Sequence, residues 1–307
     1  MELRYTSILV FVNRAAGRRR ARAYLPLLQS LFESRGLSVQ FVETSGAAEL
    51  ESAARAAADQ SRRVLLALGG DGTFQAVVNG VYGRDAVIGV LPAGGGNDFA
   101  NALGLPSNPV SAARLILQGK PLFVDLVRAR TADVRTRLYV GGGGVGLDAE
   151  AALHASGLYR RLAGRLRYIA SALRALSEHR PLKVRLEFPG TDLPAEEAPA
   201  LLVGALNTPT YGAGLRLAPD ARIDDGLLHV VLLKDLSALS VLKLLPRLMS
   251  SGELRTSRVQ RWKVKAVRIS ADRPCLFHGD GEILGLAPVE IEVVPNAIQV
   301  LAPLREA

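Results

Sequence analysis

The 307-residue chain carries a single cysteine, Cys275. One thiol excludes a disulfide framework and any Cys-rich metal site, and it fits a reducing compartment. Aromatic residues make up only 5%, which argues against a single-strand nucleic-acid binder built on stacking platforms. No nucleic-acid recognition module is visible either, so nucleic acid is not expected as a partner. Long apolar runs are missing: none approaches the ~20 residues needed to span a bilayer. The opening Met1-Glu2-Leu3-Arg4-Tyr5 lacks the basic and apolar regions of a signal peptide. These absences lead us to expect a soluble, cytoplasmic protein.

What is present points to a folded protein with anionic partners. Hydrophobic residues reach 49%, enough for sizeable cores, and the length suggests two domains. The net charge is +9, nearly all of it from arginine. Such a balance favours nucleic acid, an anionic membrane surface or phosphorylated small molecules, unless it reflects compositional bias alone.

One stretch organises the first half. Val64-Leu65-Leu66 reads as a buried strand and Phe74–Asn79 as the first turns of a helix, with Thr73 as N-cap. Between them lies Gly69-Gly70-Asp71-Gly72-Thr73. A glycine-rich strand-to-helix turn lets a phosphate approach the backbone and the free N–H groups of the helix start. An acid inside such a loop repels phosphate unless a metal ion or an acceptor hydroxyl intervenes, so the loop is read as a nucleotide site with Mg²⁺.

The flanking pattern repeats this unit. Ser7–Val12 is a continuous apolar run, read as a strand that ends at Asn13. A helix is expected from about Arg18 to Arg35; its first turns hold Arg18, Arg19, Arg20 and Arg22, unfavourable at a helix N-terminus unless a phosphate sits nearby. Leu37–Val42 alternates as a second strand, and Thr44-Ser45-Gly46 turns into an Ala-rich helix over about 47–60. Ala86–Leu91 is a fourth strand, entering Pro92-Ala93-Gly94-Gly95-Gly96-Asn97-Asp98, with Asp98 expected to cap a helix through Leu103. This alternation implies a parallel, doubly wound sheet with its ligand at the carboxyl ends of the strands. Asn13, Thr44, the Gly69–Thr73 loop and the Gly94–Asp98 loop all fall at those ends.

At this point the chain resembles the diacylglycerol kinase catalytic-domain family, in the branch of soluble bacterial lipid kinases that includes sphingosine kinases. Gly69-Gly70-Asp71-Gly72-Thr73 matches its Gly-Gly-Asp-Gly-Thr. The 91–100 segment resembles its Pro-x-Gly-Thr-x-Asn-Asp-Phe-Ala, Asn13 through Gly17 its Asn-Pro-x-x-Gly, and Asp280-Gly281-Glu282 its Asp-Gly-Glu. The resemblance implies an N-terminal α/β nucleotide domain, a C-terminal mainly-β sandwich, and phosphorylation of a lipid hydroxyl by ATP with Mg²⁺ in the cleft between them. The nucleotide would meet Asn13, Gly17, Arg18, Thr44, Gly69, Gly70, Asp71, Gly72, Thr73, Gln75, Gly94, Gly95, Asn97 and Asp98. Glu282 would act as the base, with Asp280 assisting it or binding metal. The sequence departs from the family at Gly95, usually Thr, at Gln75-Ala76, usually Asn-Glu, and at Arg14, usually Pro.

The expected domains are 1–128 for the nucleotide and 129–295 for the lipid, with a tail at 296–307 returning to the first. Leu122–Val127 reads as a strand whose Asp125 resembles an acidic family position. The run Gly141–Gly146 contains Gly-x-Gly-x-x-Gly, but no acid follows about 20 residues on, so a dinucleotide site is rejected. Gly157–His179 is a basic amphipathic helix, open to a membrane role or to ordinary core packing. Short strands follow at 183–188, 200–206, 227–233, 264–270, 289–294 and 298–301, with one helix at 237–249. By the resemblance, Asp225 and the carbonyls of Arg222 and Leu227 would hold a structural Mg²⁺; a plain Asp-Gly turn is the alternative. His278 is read as a polar neighbour or a structural histidine. The expected partner is a lipid substrate at an anionic membrane surface, met peripherally and transiently; a homodimer stays open. An NAD kinase-like enzyme and a catalytically impaired nucleotide or lipid sensor stand as alternatives.

Overall fold

Continuous apolar runs and glycine-ended turns become a parallel sheet in the first part of the chain and antiparallel strands in the rest. The computed structural model describes residues 5–13, 20–59, 63–133, 135–159, 162, 164–212, 214–250 and 257–304. It divides into two units, one of Met1–Val124 with Asn296–Ala307 and one of Asp125–Pro295.

The first unit runs β1 (Ser7–Asn13), α1 (Arg20–Ala23), α2 (Leu25–Glu33), β2 (Ser38–Thr44), α3 (Ala47–Ala58), β3 (Arg63–Gly69), α4 (Asp71–Val81), β4 (Val87–Pro92), α5 (Asp98–Ala102) and α6 (Pro109–Gln118). The strands lie in the order β2-β1-β3-β4, all parallel. The end of the chain's last strand joins alongside β4, Gln299 opposite Val87 and Val300 opposite Ile88. Central β1 and β3 are buried along nearly their whole length, as a parallel sheet requires.

The helix expected over 18–35 is two helices that part at Tyr24. Pro26 sits in the first turn of α2 and has no N–H to continue an earlier helix. Residues 14–19, which include Gly17 and Arg18, lie outside the described residues. Helix α4 begins at Asp71 with Gly70 as N-cap, so Thr73 lies inside the helix and does not cap it. Likewise α5 starts at Asp98 with Asn97 in the capping position, and no side chain caps it. Helix α6 was not anticipated. Its start is plain in hindsight: Asn108 accepts from Val110 N at 2.9 Å and Ser111 N at 3.1 Å, and Pro109 follows.

The second unit begins within β5 (Lys120–Arg130). It continues with β6 (Thr136–Tyr139), β7 (Gly142–Gly146), α7 (Leu147–Ser156), α8 (Gly164–Glu178), β8 (Leu182–Glu187), β9 (Glu196–Leu206), β10 (Leu228–Lys234), α9 (Ala238–Ser250), β11 (Val259–Val264), β12 (Ala266–Ala271), β13 (Leu276–Gly279), β14 (Glu282–Leu286) and β15 (Val289–Ala302). Strand β9 organises it. Its first half pairs with β8, and its second half lies between β7 and β10, all antiparallel. Alternating residues such as Leu182, Val184 and Leu186 of β8 point into one core with Val203, Ala205, Val230, Phe277 and Ile291.

Two expectations differ in detail. The strand expected at 264–270 is two strands meeting near Lys265, and those expected at 289–294 and 298–301 are one, β15. The glycine run is itself a strand, β7, between β9 and β13. A Cβ on Gly143 would lie 2.5 Å from His278 O, and one on Gly144 2.3 Å from Asp148 Oδ2. Close neighbours, not a ligand loop, account for glycine there.

Candidate functional site

In the first unit the expected nucleotide residues collect at one end of the sheet. Asn13 and Thr44 are register partners where β1 and β2 end, and Gly69 pairs with Pro92 where β3 and β4 end. The two glycine loops therefore emerge side by side. They touch backbone to backbone: a Cβ on Gly94 would fall 2.4 Å from Gly70 Cα and 2.8 Å from Asn97 Oδ1. Gly69 is equally constrained, because the Thr73 side chain folds back over it.

The loops are also tied by polar bonds. Asn97 adopts a left-handed backbone (φ 58°), and its side chain accepts from Gly94 N at 3.0 Å and donates to Gly94 O at 3.2 Å. The Asp71 carboxylate accepts from Phe99 N at 3.2 Å and also draws on the Asp98 and Asn97 amides. Beneath it the fully buried Phe74 and Phe99 rings stack at 4.8 Å. Burial first, then the Asp98 carboxylate, push the Asp71 carboxyl up to about 6 against the pull of those amides. Two acids crowded in this way suit a cation, and their oxygen-only chemistry suits a hard one such as Mg²⁺. Thr44 Oγ1 is buried without a hydrogen-bond partner among the described residues, and Gln75 is buried on α4. A cavity of about 780 Å³ lies at the opposite ends of the strands, lined by Arg55, Arg63, Arg84 and Asp85, away from the loops.

In the second unit the Asp280-Gly281-Glu282 turn joins β13 to β14. Asp280 sits at φ 52°, and its carboxylate takes three backbone donors. Oδ2 accepts from Val140 N at 2.8 Å, and Oδ1 from Gly141 N at 2.8 Å and Gly142 N at 3.2 Å. Fully buried Asn207 supports the same segment, donating to Asp125 O and Val140 O, each at 3.0 Å. Glu282 is exposed at the rim of the turn. The protein around its carboxyl pushes its pKa above the ordinary glutamate range, while Arg167 and His278 act the other way. Asp280 is thus held by backbone donors, whereas Glu282 stands exposed at the rim of the same turn.

Sequence reasoning missed a buried cluster beside this turn. Tyr211 O–H donates to Asp148 Oδ2 at 2.6 Å, and His278 Nε2 bonds the same phenol oxygen. His278 Nδ1 is buried without a hydrogen-bond partner among the described residues. Burial, followed by Asp148, holds the Tyr211 phenol well above its ordinary range. A signal was present only in the family-like segment around Asp148 and in the lone His278 two residues before Asp280. Tyr211→Phe should destabilise the chain by about 1–3 kcal/mol, because the buried Asp148 oxygen loses its donor. Urea denaturation checks this, and an unchanged midpoint would refute the bond. Cys275 takes no part: burial first pushes its thiol up to about 11, which leaves it inert.

In the 222–227 loop the side chains and amides have partners of their own. Asp225 Oδ1 accepts from Leu227 N at 3.0 Å, and its Oδ2 lies 3.5 Å from His229 Nε2, a nitrogen that suits a hard cation poorly. Arg222 turns to Asp224 at 3.2 Å, and Asp125 Oδ2 accepts from Gly226 N at 2.6 Å. Among the described residues no three His, Cys, Asp or Glu side chains gather as metal ligands. A structural Mg²⁺ held by Asp225 and the carbonyls of Arg222 and Leu227 stays an expectation of the resemblance.

Comparison with known proteins places these features. Residues 7–129 match the model of the diacylglycerol kinase catalytic domain, and residues 142–302 that of the YegS C-terminal NAD kinase beta sandwich-like domain. A diacylglycerol kinase of Mycobacterium tuberculosis is 30% identical over 270 residues, 88% of this chain and 86% of that one. One of Bacillus subtilis is 26% identical over 301 residues, 97% of each. The crystal structure of a diacylglycerol kinase from Bacillus anthracis covers 99% of both chains with a TM-score of 0.72 at 18% identity, a likeness of fold.

Proposed function

Because this chain belongs to the diacylglycerol kinase family, a family of lipid phosphotransferases, we propose that it moves the γ-phosphoryl group of ATP to the free hydroxyl of diacylglycerol or a close membrane relative. The observation that carries the reading is the pair of glycine loops at the carboxyl ends of the parallel strands, fused backbone to backbone and laced by Asp71. The first loop runs into the start of α4, and a helix N-terminus favours a phosphate. Asp71 and Asp98 would hold Mg²⁺, which when bound offsets the charge of the phosphates. Thr73 and Asn97 shape the floor against which the nucleotide lies.

The second unit supplies the proton acceptor. Phosphoryl transfer to an alcohol rests on positioning and charge stabilisation, and it needs a carboxylate to take the hydroxyl proton. Glu282 has the free carboxylate for this, and Asp280 fixes the turn that carries it.

The test is transfer of label from γ-labelled ATP with Mg²⁺ to diacylglycerol and to extracted lipids. Glu282→Gln should lower kcat by about 10²–10⁴ with KM little changed. The acid limb follows with a definite sign. The base works ionised, so turnover falls as pH drops through a pKa raised above the glutamate range; Glu282→Gln should remove that contribution to the acid limb and leave the one from Asp71, whose carboxyl is pushed up to about 6. Full turnover in Glu282→Gln would remove Glu282 from this role. ATP binding with no labelled lipid of any kind would favour a sensor, a reading motivated by Gly95 and Gln75-Ala76.

A further inference from the structure

Helix α8 is built inside out for a surface helix. Its fully buried residues are small: Ser171 and Ala175, the latter packed with Leu147, Leu201 and Leu202, with Leu176 half-buried against the same cluster. Its large apolar residues face out instead, with Leu166 66%, Ile169 52% and Leu173 48% exposed. Spaced three and four apart, they form one continuous stripe. Leu153, Leu158 and Leu162, just upstream, are exposed as well. An ordinary surface helix turns such a stripe to the core.

Charge identifies what covers it. From Leu153 to Ser177 the sequence holds five arginines, Arg160, Arg161, Arg165, Arg167 and Arg174, and no Asp or Glu; Glu178, the last residue of α8, pairs with Arg174 and leaves the segment strongly cationic. A second copy of the chain would bring the same cations against themselves across a two-fold axis. Nucleic acid would satisfy the arginines but has nothing to match a row of leucines. A bilayer with anionic headgroups satisfies both: acyl chains take the stripe, and the headgroups take the cations. The same helix also reaches the chemistry, since Arg167 acts on the Glu282 carboxyl. A lipid hydroxyl stands at headgroup level, the level at which a base carried beside a docked α8 would meet it.

We propose that the Leu166, Ile169 and Leu173 stripe of α8, with the arginines of the same segment beside it, docks the protein on an anionic lipid bilayer. The inference rests on the lipid-kinase reading for its purpose, while its test does not depend on catalysis. The full chain is co-sedimented with vesicles of phosphatidylcholine, with and without phosphatidylglycerol. Wild type should bind the anionic vesicles, and Ile169→Asp or Leu166→Asp should lower that binding about tenfold or more. Both side chains are exposed, and circular dichroism confirms that the variants fold. A milder Leu166→Ala, Ile169→Ala, Leu173→Ala triple variant should show the same direction. Phosphorylation of a short-chain diacylglycerol dispersed as monomers should be unchanged in these variants, and that of vesicle-embedded diacylglycerol should fall in step with binding.

Equal binding by wild type and variants overturns the proposal, as does equal binding to neutral and anionic vesicles. Loss of self-association in the variants, with vesicle binding intact, overturns it in favour of a second copy. Stripe-dependent vesicle binding with no phosphoryl transfer to either lipid supports the docking surface and sinks the kinase reading alone.

Discussion

Gly94→Ala should abolish measurable nucleotide binding and lower stability by about 1–3 kcal/mol, a large response to one methyl group. The methyl has nowhere to go. Its carbon would lie 2.4 Å from Gly70 Cα, 2.8 Å from Asn97 Oδ1 and 3.1 Å from Gly70 N, and the nearest of these is backbone that cannot rotate away. The loops must separate, which pulls the Asn97 side chain from Gly94 and the Asp71 carboxylate from the Phe99 amide. Gly46→Ala is the control, because a Cβ there meets nothing within 4 Å. Calorimetric titration with ATP and Mg²⁺, together with urea denaturation, measures both effects. Wild-type affinity in Gly94→Ala would show that the nucleotide does not depend on this contact.

Asp280→Ala should cost about 3 kcal/mol of stability and most of the activity. It strands the buried amides of Val140, Gly141 and Gly142, each worth about 1–3 kcal/mol when left without an acceptor, though not additively. It also places an alanine at φ 52°, which adds about 1 kcal/mol that an aspartate or asparagine bears more easily. Asp280→Asn should be intermediate: one oxygen still serves Gly141 and Gly142, but its amide meets a donor. The order wild type, Asn, Ala in denaturation midpoint tests this, and a midpoint of the Ala variant equal to wild type refutes the anchoring role. The two variants also separate anchor from base. Glu282→Gln should lose turnover while keeping its midpoint, and Asp280→Ala should lose both.

These two sites show where sequence reading succeeds and where it stops. The strands Ser7–Asn13 and Arg63–Gly69 were legible because a strand buried on both faces must be apolar throughout. The loops at 69–73 and 94–98 were legible because glycine clusters between a strand and a helix are few and have few uses. The partners of the acids were not. Asp71 bonds an amide 28 residues on, and Asp280 bonds amides 138 to 140 residues back, distances at which no local pattern survives. Tyr211, Asp148 and His278 are isolated polar residues in sequence and meet only through the fold. The glycine run 141–146 gave no strand signal because glycine is depleted in strands, and crowding by β9, β13 and Asp148 outweighs that propensity in β7. Pro26 was passed over in drawing one helix where there are two. Asp225 likewise meets partners that its local sequence does not announce, Leu227 N and His229.

The lacing of the two glycine loops has a consequence for how a ligand arrives. The Asn97 ring of bonds, the Asp71 bridge and the stacked Phe74 and Phe99 are made wholly between atoms of the chain and need no ligand atom to complete them. The disorder that a floppy phosphate loop would surrender on binding has therefore already been given up when the first unit folds. Association at these loops then resembles a key entering a fixed lock, one bimolecular step whose rate scales with nucleotide concentration and shows no plateau from a slow rearrangement.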